Sequence, residues 1–433
     1  MLFILFALLQ FDSTKLFAQI STQRTNEIDL ETRIKQLELK LDSLTAQKSV
    51  VPENSTTDVK QAAPIAPILE IDKNIVTSVL ENAKIGGFIQ VDGRWYSETG
   101  TVDTKKDGAD VRRARLTLSG SAGKDFIYRF QNDFGAEIIT DAFIAYQGIA
   151  DTEFKIGNFK PPFSLEKIIG IPNVTFVERS IITASTPARL TGFQVARFGS
   201  DWQAALGVFG EGVGNQNRTD DSTYSLSSRA TYALINNDNA LLHVGVSGSY
   251  YSKNRNTKTV SAGNVAADPM DSESYLDFEL AGRIKSVYLQ SEYIMNHVNY
   301  DNNAGGSGIV STTGLKANYN SYYVQASWFV TGDTKEYRLK TGDFNTVKIK
   351  NSYDKGGTGA WELAARFSSL DQNDSYRGIN ITQGKTNEAT FAVNWYPNSY
   401  LRLMVNYQKA NTSMREQETR KYDAFSVRTQ VMF

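Results

Sequence analysis

Nine arginines recur on the polar side of segments whose side chains alternate apolar and polar. They are Arg94, Arg113, Arg115, Arg129, Arg229, Arg283, Arg366, Arg402 and Arg428. A guanidinium is planar, stays charged at any working pH and offers two parallel hydrogen bonds, the geometry of an oxyanion ligand. A row of such groups replaces an anion's hydration in steps, provided no single site holds it too tightly. The same faces carry Asp92, Asp133, Asp141, Asp277, Glu279, Glu292 and Glu362. Crossed rows of Arg and carboxylate also arise as mutually paired, solvated charges, so alternation alone leaves both readings open. The stretch near 160–190 tips the balance toward anions. It carries Lys160, Lys167, Arg179 and Arg189 against Glu166 and Glu178, and Lys155 precedes it on an inward-facing position. In a narrow, poorly screened gap a small positive excess dominates the local field. Lys160-Pro161-Pro162 stiffens the start of that stretch.

Enzyme chemistry finds little material. The two histidines, His243 and His297, lie in different segments and fit neither a metal-ligand spacing nor a triad. Cysteine is absent, which excludes disulfides, thiolate metal sites and a Cys nucleophile. Gly305-Gly306-Ser307-Gly308 sits in a polar loop rather than between a strand and a helix, so no phosphate cradle is expected. A formal net charge of −1 excludes nucleic-acid binding by bulk electrostatics. The expectation is a non-enzyme without cofactor or metal.

The elements that position these groups are strands. Tyr and Phe (21 and 23) and Gly (32) are plentiful, whereas Pro (9) is scarce. After the N-terminus no apolar run approaches the roughly 18 residues a membrane helix needs. The final segment, Tyr422–Phe433, places Phe425, Val427, Val431 and Phe433 on one face and Ser426, Arg428 and Gln430 on the other. Tyr322, Val324, Ala326, Trp328 and Val330 alternate likewise, as do Trp361–Phe367, Phe391–Trp395 and Leu401–Tyr407. A soluble sandwich would turn a terminal ring inward. A membrane barrel turns it to lipid and keeps polar residues in a watery bore.

About 16 strands are legible, an even number as closed single-chain barrels require. They fall near 85–97, 111–120, 125–134, 140–148, 153–159, 191–198, 202–210, 223–235, 240–252, 274–284, 286–299, 316–331, 359–370, 386–396, 400–410 and 421–433. If Lys84 enters from the periplasm, the connections 120–125, 199–201, 236–239 and 397–399 are periplasmic, and all are short. Those near 160–190, 210–223, 253–274, 300–315 and 371–386 become extracellular, and all are longer. Thr331–Gly359 breaks the pattern, being long yet periplasmic. Irregular backbone at that depth must line the lumen, so this segment is expected to fold into or under the barrel mouth. Arg112 falls on the lipid face by parity and is useful only at the rim or beside a bulge.

Before the barrel the sequence changes character. Residues 1–18 read as a secretory signal peptide, although no Lys or Arg precedes the apolar run. Leu30, Ile34, Leu37, Leu41 and Leu44 form a heptad seam within a coiled coil over 20–48. Pro52, Pro64 and Pro67 mark a linker over 49–83, leaving 84–433 for the barrel.

Several stretches resemble the phosphate-selective porin O and P family. They include Asp110-Val-Arg-Arg-Ala-Arg115, Asp141-Ala-Phe-Ile-Ala-Tyr146, Lys155-Ile-Gly-Asn-Phe-Lys-Pro-Pro-Phe-Ser164 and Glu178-Arg179-Ser180. Tyr322–Gly332, Gly359–Ser368 and Asn394–Asn398 are also similar, and the ordered set spans most of 84–433. The resemblance implies an all-β, 16-stranded antiparallel transmembrane barrel of the bacterial outer membrane. It implies a homotrimer passing small anions, phosphate or polyphosphate first. Outer-membrane lipid and the barrel assembly machinery are the expected partners. It also implies that Arg113 and Arg115 supply an arginine ladder. Asp141 would stand near the constriction, and Arg179 in the constriction loop. The candidate pore residues are therefore Arg94, Arg113, Arg115, Arg129, Asp141, Lys155, Lys160, Arg179, Arg189 and Arg366. Two rival expectations are a general or weakly cation-selective pore and a plugged structural barrel with a periplasmic tether.

Overall fold

A computed structural model describes residues 82–99, 106–213, 224–252, 270–300, 316–376, 379–413 and 419–433. The expected signal peptide, coiled coil and nearly all of the linker lie outside the described residues.

Eighteen strands are present among them. The first seven are β1 (Lys84–Thr99), β2 (Gly108–Ala122), β3 (Phe126–Asp133), β4 (Ile138–Tyr146), β5 (Thr152–Phe159), β6 (Leu190–Phe198) and β7 (Trp202–Phe209). Then come β8 (Tyr224–Asn236), β9 (Ala240–Ser252), β10 (Met270–Ile284), β11 (Val287–Tyr300) and β12 (Lys316–Phe329). Last are β13 (Thr334–Arg338), β14 (Asp343–Lys348), β15 (Ala360–Tyr376), β16 (Ile379–Tyr396), β17 (Leu401–Ser413) and β18 (Thr419–Met432). All but β13 and β14 form one closed barrel of neighbouring antiparallel strands. The seam joins β1 to β18, pairing Phe88 with Met432 and Trp95 with Phe425. The terminal Phe433 N–H donates to Gly87 O at 3.1 Å, and Gly87 N–H donates back at 2.9 Å. Gly87 permits this approach, since a Cβ there would stand 2.8 Å from the Phe433 ring.

Alternation sets which side of the wall each residue faces. On β12, Tyr322, Val324 and Trp328 are exposed outward, while Ser321, Tyr323, Ser327 and Phe329 are buried inside. The outward band continues through Leu206, Val208, Phe278, Leu289, Leu363, Phe391 and Val405, all exposed. Exposed apolar side chains in a continuous belt require a nonaqueous surround. Trp361 and Trp395 stack at 5.5 Å at the end where β12 meets β15 through the long connection, consistent with an interfacial aromatic girdle.

Each strand expected from sequence has its counterpart in the barrel. The expected loop at 371–386 does not. Asn373–Tyr376 pairs with Ile379–Thr382, past a register shift at Asp371/Asn373. This stretch is polar, so apolar alternation gave no strand signal; backbone pairing alone extends the hairpin.

Two segments fold into the bore. The first is the β5–β6 connection, Lys160–Arg189, with a single helical turn α1 (Leu165–Ile168) capped by Ser164. Its Phe163 and Ile182 pack with Phe159, Leu190, Phe209, Tyr251, Tyr275, Ile294 and Tyr323 of the wall. The second is the β13–β14 hairpin from the long connection between β12 and β15. Phe344 and the half-buried Tyr337, Leu339, Val347 and Ile349 pack with Leu165, Ile169 and Val174 of the first segment and with the wall. Each fully buried side chain of this kind contributes about 1.5–3 kcal/mol. The expectation that 331–359 enters the barrel agrees with these contacts.

The candidate pore

The wall arginines divide into two groups. One group holds the inner segments. Arg402 of β17 donates from Nη1 to Val174 O (2.7 Å) and from Nη2 to Thr175 O (3.0 Å). Arg366 of β15 donates to Glu178 O at 3.1 Å, pairs with Glu166 at 3.4 Å, and lies 4.4 Å from the Phe176 ring centroid. Arg229 of β8 grips the hairpin carbonyls of Thr341 (2.7 Å) and Gly342 (2.8 Å). Arg283 clasps the turn carbonyls of Asn237 and Asp238 at the barrel rim. Arg229, Arg366 and Arg402 satisfy backbone oxygens that the irregular inner segments cannot pair themselves, and Arg283 does the same for a turn between wall strands.

The second group surrounds carboxylates beside open space. Glu178, on the inner loop, receives Arg94 Nη2 at 2.8 Å and Arg112 Nε at 2.9 Å. Arg428 stands 3.5 Å away and Arg113 3.6 Å. Asp92 beneath is held by Arg428 at 2.6 Å and 2.7 Å, and by Arg94. Burial opposes a charged Glu178, but Arg113, Arg112 and Arg428 outweigh it and lower its carboxyl to about 2. Four guanidiniums thus face two carboxylates. Arg112 joins because the β1–β2 register slips between Gln90 and Val91: Gln90 pairs with Arg113 and Val91 with Val111, which leaves Arg112 unpaired. A bulge re-aims one side chain in this way.

An opening adjoins this cluster, lined by Arg113, Lys167, Ile171, Val174, Val177, Glu178, Arg179, Thr183 and Arg428. Glu178 is the sole carboxylate in that lining. A second cluster centres on Asp141 of β4, with Arg189 at 2.7 Å and Arg129 at 3.2 Å. Arg129 is the more exposed of the two arginines, at 41% against 22%.

The remaining candidates are tied to protein groups. Arg115 is buried and donates to Asp133 at 2.7 Å. Lys155 pairs with Glu153 at 2.8 Å and lies 5.0 Å from the Phe143 ring centroid. Lys160 donates to the carbonyls of Lys167 (2.6 Å), Ile169 (3.1 Å) and Ile168 (3.2 Å). Burial, with Arg179 and Arg189 nearby, pushes its ammonium well below the usual lysine value, which makes it a poor fixed charge for a pore. Arg179 donates to Glu166 O (2.9 Å) and Ile169 O (2.6 Å) while also edging the opening. Residue type and the family resemblance both point Lys160 and Arg179 at the pore. Neither reveals that the two cations share the carbonyls of Lys167 and Ile169 at the end of α1. Residue type likewise marks Arg402 and Arg428 only as wall arginines and Glu178 as a simple counter-charge.

Over residues 84–433 the chain matches the family described as phosphate-selective porin O and P. It is 26% identical over 384 residues to Porin O of Pseudomonas aeruginosa, covering 76% of this chain and 83% of that protein. An uncharacterised protein of Caulobacter vibrioides is 26% identical over 440 residues, with 90% and 84% covered. Among solved structures, a loop L8 deletion mutant of OmpT, an outer membrane protein of Vibrio cholerae, aligns with a TM-score of 0.53 at 9% identity. It covers 81% of this chain and 99% of that one. In-vitro folded OmpT in its trimer form aligns with a TM-score of 0.52 at 8% identity and the same coverages. A closed 16-stranded barrel with a lipid-facing apolar belt, joined to this match, makes the protein a porin of the bacterial outer membrane, and the chain belongs to the phosphate-selective porin O and P family.

Proposed function

We propose that this porin passes small anions by passive diffusion, with phosphate or polyphosphate preferred, and that it works as a homotrimer folded by the barrel assembly machinery. The observation that carries the reading is the opening beside Glu178, whose lining holds Arg113, Lys167, Arg179 and Arg428 against one carboxylate. A mobile anion there meets guanidinium forks that are already oriented by protein carboxylates. Such preorientation lowers the cost of taking up an oxyanion, while the competing carboxylates keep each site weak enough to release it. Arg129 and Arg189 about Asp141 supply a second station of the same construction. Arg94 and Arg112 border the first. Arg115, Lys160 and Arg366 act in this reading as scaffolding for the pore.

The test is phosphate block of chloride current through single channels in planar bilayers. Arg113→Ala should weaken the block by roughly tenfold, equivalent to about 1.4 kcal/mol, with less effect on chloride conductance. Equal loss for both ions would argue against phosphate-specific sites.

A plugged structural barrel is the second reading, favoured by the hydrophobic packing of Phe344 and Tyr337 inside the bore. Folded protein that inserts without measurable current would support it.

A further inference from the structure

Away from the cationic opening, the inner wall of β9–β11 carries three carboxylates, and we infer that Asp277 and Glu292, with Glu279 beside them, bind a calcium ion that fastens the inner loop to the wall. Asp277, Glu279 and Glu292 are 0%, 4% and 1% exposed. One oxygen from each falls within 4.8 Å of the others. Glu279 is already committed, receiving Arg229 at 2.8 Å and 2.7 Å and standing 3.2 Å from His243.

The other two are half satisfied. Asp277 Oδ2 accepts from Ser247 Oγ at 3.0 Å, and Glu292 Oε2 accepts from Tyr323 OH at 2.6 Å and the Glu166 N–H at 2.9 Å. Asp277 Oδ1 and Glu292 Oε1 are buried with no hydrogen-bond partner among the described residues. Two such oxygens on separate, adjacent carboxylates are costly unless a proton or a cation lies between them. All the donor atoms are oxygens, which selects a hard cation. Calcium coordinates at about 2.3–2.6 Å, so ligands on opposite sides of one ion stand about 4.8 Å apart. Magnesium, which demands a near-ideal octahedron at about 2.0–2.1 Å and gives up its water reluctantly, fits a buried set of protein carboxylates less well. Glu292 also holds the first turn of α1 through the Glu166 N–H, so an ion here fixes the loop that carries Glu178.

The test uses the full chain, refolded in detergent free of lipopolysaccharide and stripped with chelator. Terbium serves as the calcium probe, with Tyr323 as the sensitiser. The expected result is a single sensitised site per chain, displaced by calcium at lower concentration than by magnesium. It should be lost in Asp277→Asn/Glu292→Gln and kept in Glu178→Gln. Absence of sensitised emission in folded wild type, or equal emission in the double variant, overturns the inference. If the double variant does not fold, infrared spectra of wild type at neutral pH decide. A protonated carboxylic-acid band that calcium leaves unchanged means a shared proton and overturns it; conversion of carboxylate bands on adding calcium supports it. None of these readouts is a current, so a negative result leaves the anion reading intact.

Discussion

Glu178 is the residue on which the electrostatics of the opening turn. Its carboxylate occupies the arginine cluster that a passing anion would use, so it competes with the solute. Glu178→Gln should keep hydrogen-bonding capacity while removing one negative charge. The expected outcome is a higher chloride-over-potassium permeability ratio and tighter phosphate block, both read in bilayers. An unchanged ratio would show that the current bypasses this cluster. The pH dependence follows from the sign of the shift. A carboxyl depressed from near 4.5 to about 2 contributes stability above its ordinary value and loses it as pH falls through about 2. Loop docking through Glu178 should therefore persist to about pH 4 and fail near pH 2, measurable as a rise in conductance fluctuations on acidification. Much of this was hidden in the sequence. Charge type and strand parity located Arg94, Arg113 and Arg428 on the inner wall. A bulge that admits Arg112, and the convergence of four guanidiniums on one loop carboxylate, depend on register and on contacts between residues as far apart as Arg94 and Glu178.

At the scale of elements, the inner loop and the β13–β14 hairpin narrow the bore and hold each other. Lys335 of β13 donates to Glu362 Oε1 and to Thr175 Oγ1, both at 2.7 Å, which links hairpin, wall and loop in one buried contact. Since β12 and β15 pair directly, the barrel does not need the hairpin for closure. Replacing residues 334–348 by a short Gly-Ser turn should leave the sheet closed, judged by circular dichroism. It should raise single-channel conductance, because packed volume is removed from the bore. Unchanged conductance would place the narrowest point elsewhere. Lys335→Ala removes one buried partner of Glu362, which keeps Arg402, Tyr396 and Asn394, and should cost about 1–3 kcal/mol, seen as a lower denaturation midpoint. Strand alternation was plain in the sequence because lipid and water impose opposite demands on adjacent residues. The hairpin was legible only as an overlong connection: Tyr337 and Phe344 meet across a slipped register that no period-two pattern reveals.

For the whole molecule, the wall is a closed sheet with an apolar exterior, and its interior is asymmetric. Carboxylates gather along β10 and β11, while the opening beside β18 and β2 sets four cations against one carboxylate. A net charge of −1 conceals this division, which explains why bulk composition was silent on selectivity. Only the local excess along the permeation path sets the sign of the field an ion meets. The most direct test is the zero-current potential of the wild-type channel across a potassium chloride gradient. The account predicts a potential of the sign given by chloride carrying most of the current, moving toward zero when Arg113 and Arg428 are both replaced by Ala. A wild-type potential of the opposite sign, with potassium as the main carrier, would contradict it.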